Sequence, residues 1–319
     1  AAIQCGGLLA ILRGRDTSVL DPMRSIPDVC EVVLARGAQA GERPELLLEV
    51  PHGATRAADF ERLRAALRGN FPEDLREFFF VNTDVGAPEV ALRVAERVVA
   101  ADPRRCAAVI RCLLPRTFVD CNRVLDAQTV PRASAAGELT PGVHAWVRDP
   151  ADLELLLARH GAYRALVEGA CERVCTQGGV AVMVHTYAPR SVEVPVDERI
   201  VEHLRAAYAP ERFESWPLRA PVDLIVDTPE GTRLASNNLV ERVRAGFAAA
   251  GLEVVLNGAY SLHPETLAGV LARRHRGQTL CLELRRDLLV HAFTPFQEMQ
   301  VDPVKVERIA APLAAALGR

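Results

Sequence analysis

Short apolar runs that stop at turn residues alternate along this chain with longer segments patterned at helical spacing, and this alternation constrains the fold more than any other feature. Leu46–Val50 is a mostly apolar run closed by Pro51-His52-Gly53. A run that short, bounded by turn residues, suits a buried strand. Phe78–Val81, Ala107–Leu114, Val180–Val184, Val222–Val226, Leu252–Leu256 and Thr279–Leu284 read the same way. Between them, Asp59–Arg68 places Phe60, Leu63, Ala66 and Leu67 at helical spacing. Pro88–Ala101 is amphipathic and carries its proline near the first turn, where proline is tolerated. Asp152–Cys175 is the longest helical segment, and Asp197–Tyr208, Asn238–Ala250, Pro264–Arg274 and Pro303–Leu317 complete the set. Gly251 stands where a helix-terminating glycine belongs. Strands separated by helices imply an open α/β sheet covered on both faces.

A length of 319 residues, 49% of them hydrophobic and 25% charged, supplies ample core for one large domain. We expect a single domain over 1–319, with no role assigned to residues 1–43. A net charge of −3 and a pI near 6.3 provide no field to recruit nucleic acid or an anionic membrane. No apolar run approaches the roughly 20 residues of a spanning helix. Ile3–Leu12 is apolar but lacks a preceding basic region, so it reads poorly as a signal peptide. The eight cysteines include no CxxC pair, and Cys171 and Cys175 share a helix face. An even count in a chain this long is no argument for disulfides, and a reducing cytoplasm is the expected setting. No glycine-rich phosphate loop follows a strand, which weakens a nucleotide-binding reading. Thr129–Pro150, rich in Pro, Gly, Ala and Ser, reads as a long loop and a candidate lid. Pro210–Pro221 is a second irregular stretch.

In open α/β sheets ligands bind at the carboxyl ends of strands, and several polar residues fall there. His52 follows Leu46–Val50, Asp84 follows Phe78–Val81, and His185 ends Val180–Val184, which puts its ring at the sheet edge. Taken singly, His52 is more often a packed turn histidine, and His185 could equally be a satisfied core histidine. Two histidines and a carboxylate, however, leave an open coordination position on zinc, as a catalytic site requires. Glu283 lies inside the apolar strand Thr279–Leu284 and needs a partner, since charges are rarely buried alone. It is either a structural ion pair with Arg285 or Arg123, or the general base toward water. Arg116-Thr-Phe-Val-Asp120-Cys-Asn122-Arg123 packs two arginines, an acid and an amide into one short run. Asn122 and Arg123 suit a substrate carboxylate, Arg116 suits a developing oxyanion, and Asp120 suits a structural ion pair with Arg123.

Val50-Pro-His-Gly53, Asn82-Thr-Asp84, Arg116–Arg123, Val184-His185 and Leu282-Glu283-Leu-Arg285, in this order over about Leu46–Leu289, resemble the N-formylglutamate amidohydrolase family. The resemblance implies a fold similar to zinc carboxypeptidases: a mixed, mostly parallel sheet of about eight strands flanked by helices. It implies zinc held by His52 and His185, Glu283 as general base, and Asn122 with Arg123 on the substrate carboxylate. Thr55 stands where zinc carboxypeptidases carry a glutamate ligand, so Asp84 becomes the candidate third ligand, with Glu89 in reserve. Asn257-Gly-Ala-Tyr260 resembles a family segment ahead of the final catalytic strand and makes Tyr260 a substrate-binding candidate. The implied activity is zinc-dependent hydrolysis of the amide of a small carboxylated N-formyl- or N-acyl-amino acid. A carboxypeptidase or peptidoglycan-type amidase, and a metal-free ligand- or partner-binding relative, are the alternatives. The oligomeric state is not legible.

Overall fold

The computed structural model describes residues 23–318. The Ile3–Leu12 run and Cys5 lie outside the described residues. One seven-stranded sheet runs in the order β1-β3-β2-β4-β7-β5-β6, built from β1 (Cys30–Arg36), β2 (Leu46–Val50), β3 (Cys106–Cys112), β4 (Val180–Tyr187), β5 (Val222–Ile225), β6 (Val254–Leu256) and β7 (Thr279–Arg285). Four neighbouring pairs are parallel (β3–β2, β2–β4, β4–β7 and β5–β6), while β1–β3 and β7–β5 are antiparallel. The sheet is therefore mixed and mostly parallel, as expected, with seven strands among the described residues.

Side chains alternate between the two faces of each strand. Leu46, Leu48 and Val50 join Val109, Val182 and Val184 beneath α3 (Ala87–Ala101), α7 (Asn237–Ala249) and α9 (Pro303–Leu317). Leu47 faces the opposite way, with Ala108, Ile110 and Ala181, toward α1 (Ala57–Ala66), α2 (Leu75–Asn82), α4 (Pro150–Cys175), α5 (Ile200–Ala207) and α8 (Leu267–Arg274). Burial on both faces explains why β2 and β4 read as nearly continuous apolar runs. Among the described residues no helix is long and apolar enough to cross a membrane, and the seven described cysteines are buried and free.

Two local expectations are corrected, and one segment left unassigned takes a place in the sheet. Phe78–Val81 is not a strand; it is the second half of α2, whose polar Arg76 and Glu77 occupy the first turn. Phe78, Phe79 and Phe80 are all buried against one core, and a four-residue apolar run has no period to separate helix from strand. Asp84 thus follows a helix. Part of the segment 1–43 is the edge strand β1, paired with β3 from Cys30↔Cys112 to Arg36↔Cys106. Its half-exposed residues hide the period in the sequence. The stretch Pro210–Pro221 includes a short helix, α6 (Pro210–Ser215).

The long connection from β3 to α4 has neither helix nor strand, but its last part is core. Val143, His144, Trp146 and Val147 are buried, and isolated bridges tie Val119 to Val143 and Ser134 to Val196.

Candidate active site

His52 sits on the turn after β2. Arg111 braces this turn from β3, donating Nε to the Gly53 carbonyl at 2.7 Å and Nη2 to Asp59 at 2.8 Å. A Cβ on Gly53 would meet the Arg111 Cγ at 2.6 Å, so glycine is needed for the brace to pack. The Thr83 hydroxyl donates to the Ala54 carbonyl at 2.5 Å and draws the α2–α3 connection against the His52 turn. From the other side, Thr186 Oγ1 donates to the Val85 carbonyl at 3.2 Å, and the buried Arg286 donates to the carbonyls of Val81 (2.9 Å) and Thr186 (3.2 Å). Asp84 is thereby fixed between the turn after β2 and the carboxyl-terminal half of β4, which carries His185.

His52, Asp84 and His185 are all buried, and one ligand atom from each lies within 4.8 Å of the others. His52 Nδ1 is 3.1 Å from Asp84 Oδ2, and His185 Nδ1 is 3.2 Å from the same oxygen. The two rings stand 5.2 Å apart and tilted by 59°. Glu89, the reserve ligand, lies elsewhere, 3.9 Å from Arg56. The Thr55 backbone N–H caps onto Asp59 at 3.1 Å and takes no part in the cluster. His185 is not at a sheet edge: β4 continues to Tyr187 and is the central strand.

The donor set fits a metal cation. His52 Nε2 lies 2.8 Å from Asp120 Oδ1 while Nδ1 faces Asp84, so both ring nitrogens point at carboxylate oxygens. A neutral imidazole has one N–H. With that proton donated to Asp120, the Nδ1 lone pair confronts a carboxylate lone pair, and a cation between them resolves the clash. A carboxylate behind a ligating histidine is the usual way such a ring is oriented. Burial pushes the Asp84 carboxyl up, but the two imidazoles outweigh it and hold it well below the ordinary range. Burial likewise disfavours the His185 imidazolium, but the hydrogen bonds to Asp84 and Cys281 together with the neighbouring Glu283 outweigh it, so His185 moves well above its ordinary value.

Glu283 pairs directly with His185 in the β4–β7 register. Neither structural ion pair that the sequence left open is formed: Arg285 pairs with Asp287 at 2.9 Å, and Arg123 approaches Asp120 at 3.6 Å. Glu283 Oε2 is buried without a hydrogen-bond partner, and burial pushes its carboxyl up to about 7.

Asp120 is the hub that sequence reasoning undervalued. It is 1% exposed and accepts from His52 Nε2, from the Asn122 backbone N–H at 2.8 Å and from Arg116 Nη2 at 2.8 Å. Its spacing from Asn122 and Arg123 was visible, but its link to His52, 68 positions away, was not. Arg123 donates Nε to the Thr140 carbonyl and Nη2 to the Thr140 hydroxyl, both at 2.8 Å, while Asn122 Oδ1 accepts from the Ala268 N–H at 3.1 Å. Tyr260 is 48% exposed and within electrostatic range of both Arg116 and Arg123. Its segment is anchored by the buried Asp223, which accepts the N–H groups of Gly258 (3.0 Å) and Ala259 (2.7 Å).

Residues 44–290 match the N-formylglutamate amidohydrolase family, which is most of the chain. The chain belongs to that family. Among solved structures it is similar to an N-formylglutamate amidohydrolase from Ralstonia eutropha JMP134, at 19% identity and a TM-score of 0.55, covering 89% of this chain and 96% of that one. It is also similar to a gene product of Agrobacterium tumefaciens, at 19% identity and a TM-score of 0.50, covering 90% and 93% of the two chains. At this identity the likeness bears on fold alone. No curated protein matches the chain's sequence.

Proposed function

We propose that this chain is a zinc-dependent amidohydrolase that cleaves the amide of a small N-formyl- or N-acyl-amino acid. The observation that carries the reading is the unpartnered Glu283 carboxylate placed in register beside a buried His52–Asp84–His185 cluster. When bound, zinc supplies Lewis-acid chemistry, polarising the amide carbonyl and making a water reactive near neutral pH.

The chain's own residues do the rest. His52, Asp84 and His185 are the ligands, and Asp120 orients His52 by accepting its Nε2 proton. Glu283, with its carboxyl near 7, takes a proton from the attacking water at neutral pH. The water oxygen bonds to the carbonyl carbon. Arg116, beside Asp84 and held by Asp120, offers its charge to the oxyanion that develops there. Glu283 returns the proton to the nitrogen as the C–N bond breaks, releasing the free amino group and a carboxylate. Asn122 and Arg123 hold the amino-acid carboxylate, and Tyr260 closes the open side. A cytoplasmic setting belongs to the same proposal, in keeping with seven buried, free cysteines.

Elemental analysis with a turnover assay on N-formylglutamate tests the reading. The expected result is one zinc per chain in the wild type and in Glu283→Gln, and loss of zinc in His52→Ala. Turnover in Glu283→Gln should fall by at least the roughly 10²–10⁴-fold that a general base contributes. Wild-type turnover confined to C-terminal dipeptides would point instead to a carboxypeptidase. A folded wild type that can neither carry nor be loaded with zinc would sink the mechanism.

A further inference from the structure

Glu49 is the single acid in the otherwise apolar strand β2, and it is 2% exposed. Its rung neighbours are Ile110 on β3 and Met183 on β4, neither of which can meet a charge. Among the described residues it forms no ion pair, and its hydrogen-bond partner is the hydroxyl of the equally buried Tyr163, which donates to Oε1 from α4. A carboxyl taken this far from water without a cation needs a reason, because charges are rarely buried alone.

The register shows what lies above it. Glu49 stands opposite Met183, and His185, two residues further along β4, stands opposite Glu283. Side chains two apart on a strand share a face, so Glu49 lies one rung beneath the His185–Glu283 pair. It is also three positions ahead of His52 on its own strand. His185, His52 and Asp84 all bear on it electrostatically. The other titratable groups facing it are Tyr163 and Cys171 from α4, Cys121 from the segment after β3, and Cys281 from β7. Burial pushes the Tyr163 phenol and the Cys121 and Cys281 thiols up, and the hydrogen bond to Cys175 does the same for Cys171, so these four stay neutral. Burial pushes the Glu49 carboxyl up too, against the pull of the Tyr163 phenol and the two imidazoles.

We infer that Glu49 is the outer counter-charge of the metal centre, neutral beneath the empty cluster and ionised when a divalent cation occupies His52, Asp84 and His185. The inference rests on the metallohydrolase reading above for the identity of that cation. A dication held by one carboxylate and two neutral imidazoles keeps one positive charge. Asp120 cannot cancel it, being engaged by Arg116 and Arg123. Glu49 can, by losing its carboxyl proton to solvent, with no change of oxidation state. The Tyr163 hydroxyl already donates to the group that would carry the charge, and such a donor favours the ionised form. Glu49 acts through the field rather than by contact, so it is a positioning residue for the metal.

Zinc chloride is titrated calorimetrically into the metal-free full chain, as wild type, Glu49→Gln and Tyr163→Phe, in buffers of different ionisation heat across neutral pH. Wild type should release about one proton more per zinc than Glu49→Gln. Glu49→Gln should bind zinc about 10- to 100-fold more weakly at every pH, the range typical of lost outer partners. Tyr163→Phe keeps the carboxyl but makes it harder to ionise, so its weaker binding should recover as pH rises. Should either variant fail to fold, infrared difference spectra of Glu283→Gln, which lacks the other raised carboxyl, read the same event: zinc should remove a protonated-carboxyl stretch. Equal proton release by wild type and Glu49→Gln, or a carboxyl stretch that zinc leaves unchanged, would overturn the inference even where N-formylglutamate is turned over. Zinc binding with the expected proton release but no turnover of any N-acyl amino acid would count against the hydrolase reading alone, and a wild type that binds no zinc would defeat both.

Discussion

Replacing Asp120 with asparagine tests the hub of the site without changing its shape. The carboxylate accepts from His52 Nε2, from the Asn122 N–H and from Arg116 Nη2, each at 2.8 Å, and Arg123 stands 3.6 Å away. It is 1% exposed, whereas the Arg116 side chain retains 22%. Removing one partner of a fully buried pair costs about 3–5 kcal/mol. Arg116's partial exposure and the surviving amide oxygen bring the expected loss for Asp120→Asn below that range, to about 2–3 kcal/mol. The carboxylate also fixes the orientation of the His52 ring, and loss of such a partner weakens metal affinity about 10- to 100-fold. Denaturant unfolding of the zinc-free protein reads the first effect, and competition with a chromophoric chelator reads the second. Burial pushes Asp120 up, but Arg116, Arg123 and His52 hold it well below the ordinary carboxylate range. A depressed folded pKa gives stability that is present above the unfolded value of about 3.9 and lost below it. The stability gap between wild type and variant is therefore full at pH 7 and narrows as pH falls below about 4. A zinc affinity within twofold of wild type would falsify the assignment of Asp120 as the group that orients His52.

His144 gives a separate pH signature. Burial pushes it down to about 3, and it stacks on Trp146 with ring centres 4.4 Å apart. The folded chain refuses a proton that the unfolded chain binds below about 6.5, so stability falls with decreasing pH by up to about 1.4 kcal/mol per unit between those values. His144→Phe keeps the stack and removes the titration; its unfolding free energy should be flatter between pH 6 and pH 4, and parallel curves would refute the account. Gly86 starts α3 at φ +90°, and a Cβ there would meet Leu289 Cβ at 2.7 Å. Gly86→Ala should cost about 1–3 kcal/mol in thermal or denaturant unfolding and, by shifting Asp84 two residues earlier, weaken zinc retention.

The sequence exposes most of this fold because β2, β3, β4, β5 and β7 are punctuated by proline, glycine or polar residues and separated by helices with clear faces. It hides β1, since an edge strand with one half-exposed face carries no sharp period. It misleads at Phe78–Val81, where burial in a helix crossing an aromatic cluster makes every residue of a short run apolar. Among candidate site residues, His52, His185 and Glu283 stand out because each is a polar group where an apolar pattern stops or is broken. Asp84 is brought to them by tertiary contacts, through Thr83, Thr186 and Arg286, that leave no local mark. Arg219 is likewise silent: the rings it sits over, Tyr187 and Tyr260, are 32 and 41 positions away.

One property of the sheet explains why these groups meet at all. His185 on β4, Glu283 on β7 and Asp223 on β5 lie on a single rung, the first pair parallel and the second antiparallel. A strand's side chains alternate faces, so a slip of one residue in β7 would put Leu284 beside His185 and turn Glu283 into the apolar layer beneath α7 and α9. The buried leucines at 280, 282 and 284 make that slip prohibitive, since they would leave their own layer at the same time. Position along the rung then divides the labour. His185 turns toward Asp84, Glu283 stands beside it, and Asp223 reaches outward to the backbone of Gly258 and Ala259 and so sets Tyr260 against Arg219. The same register that buries the core thus joins the candidate metal ligands to the rim that carries Tyr260.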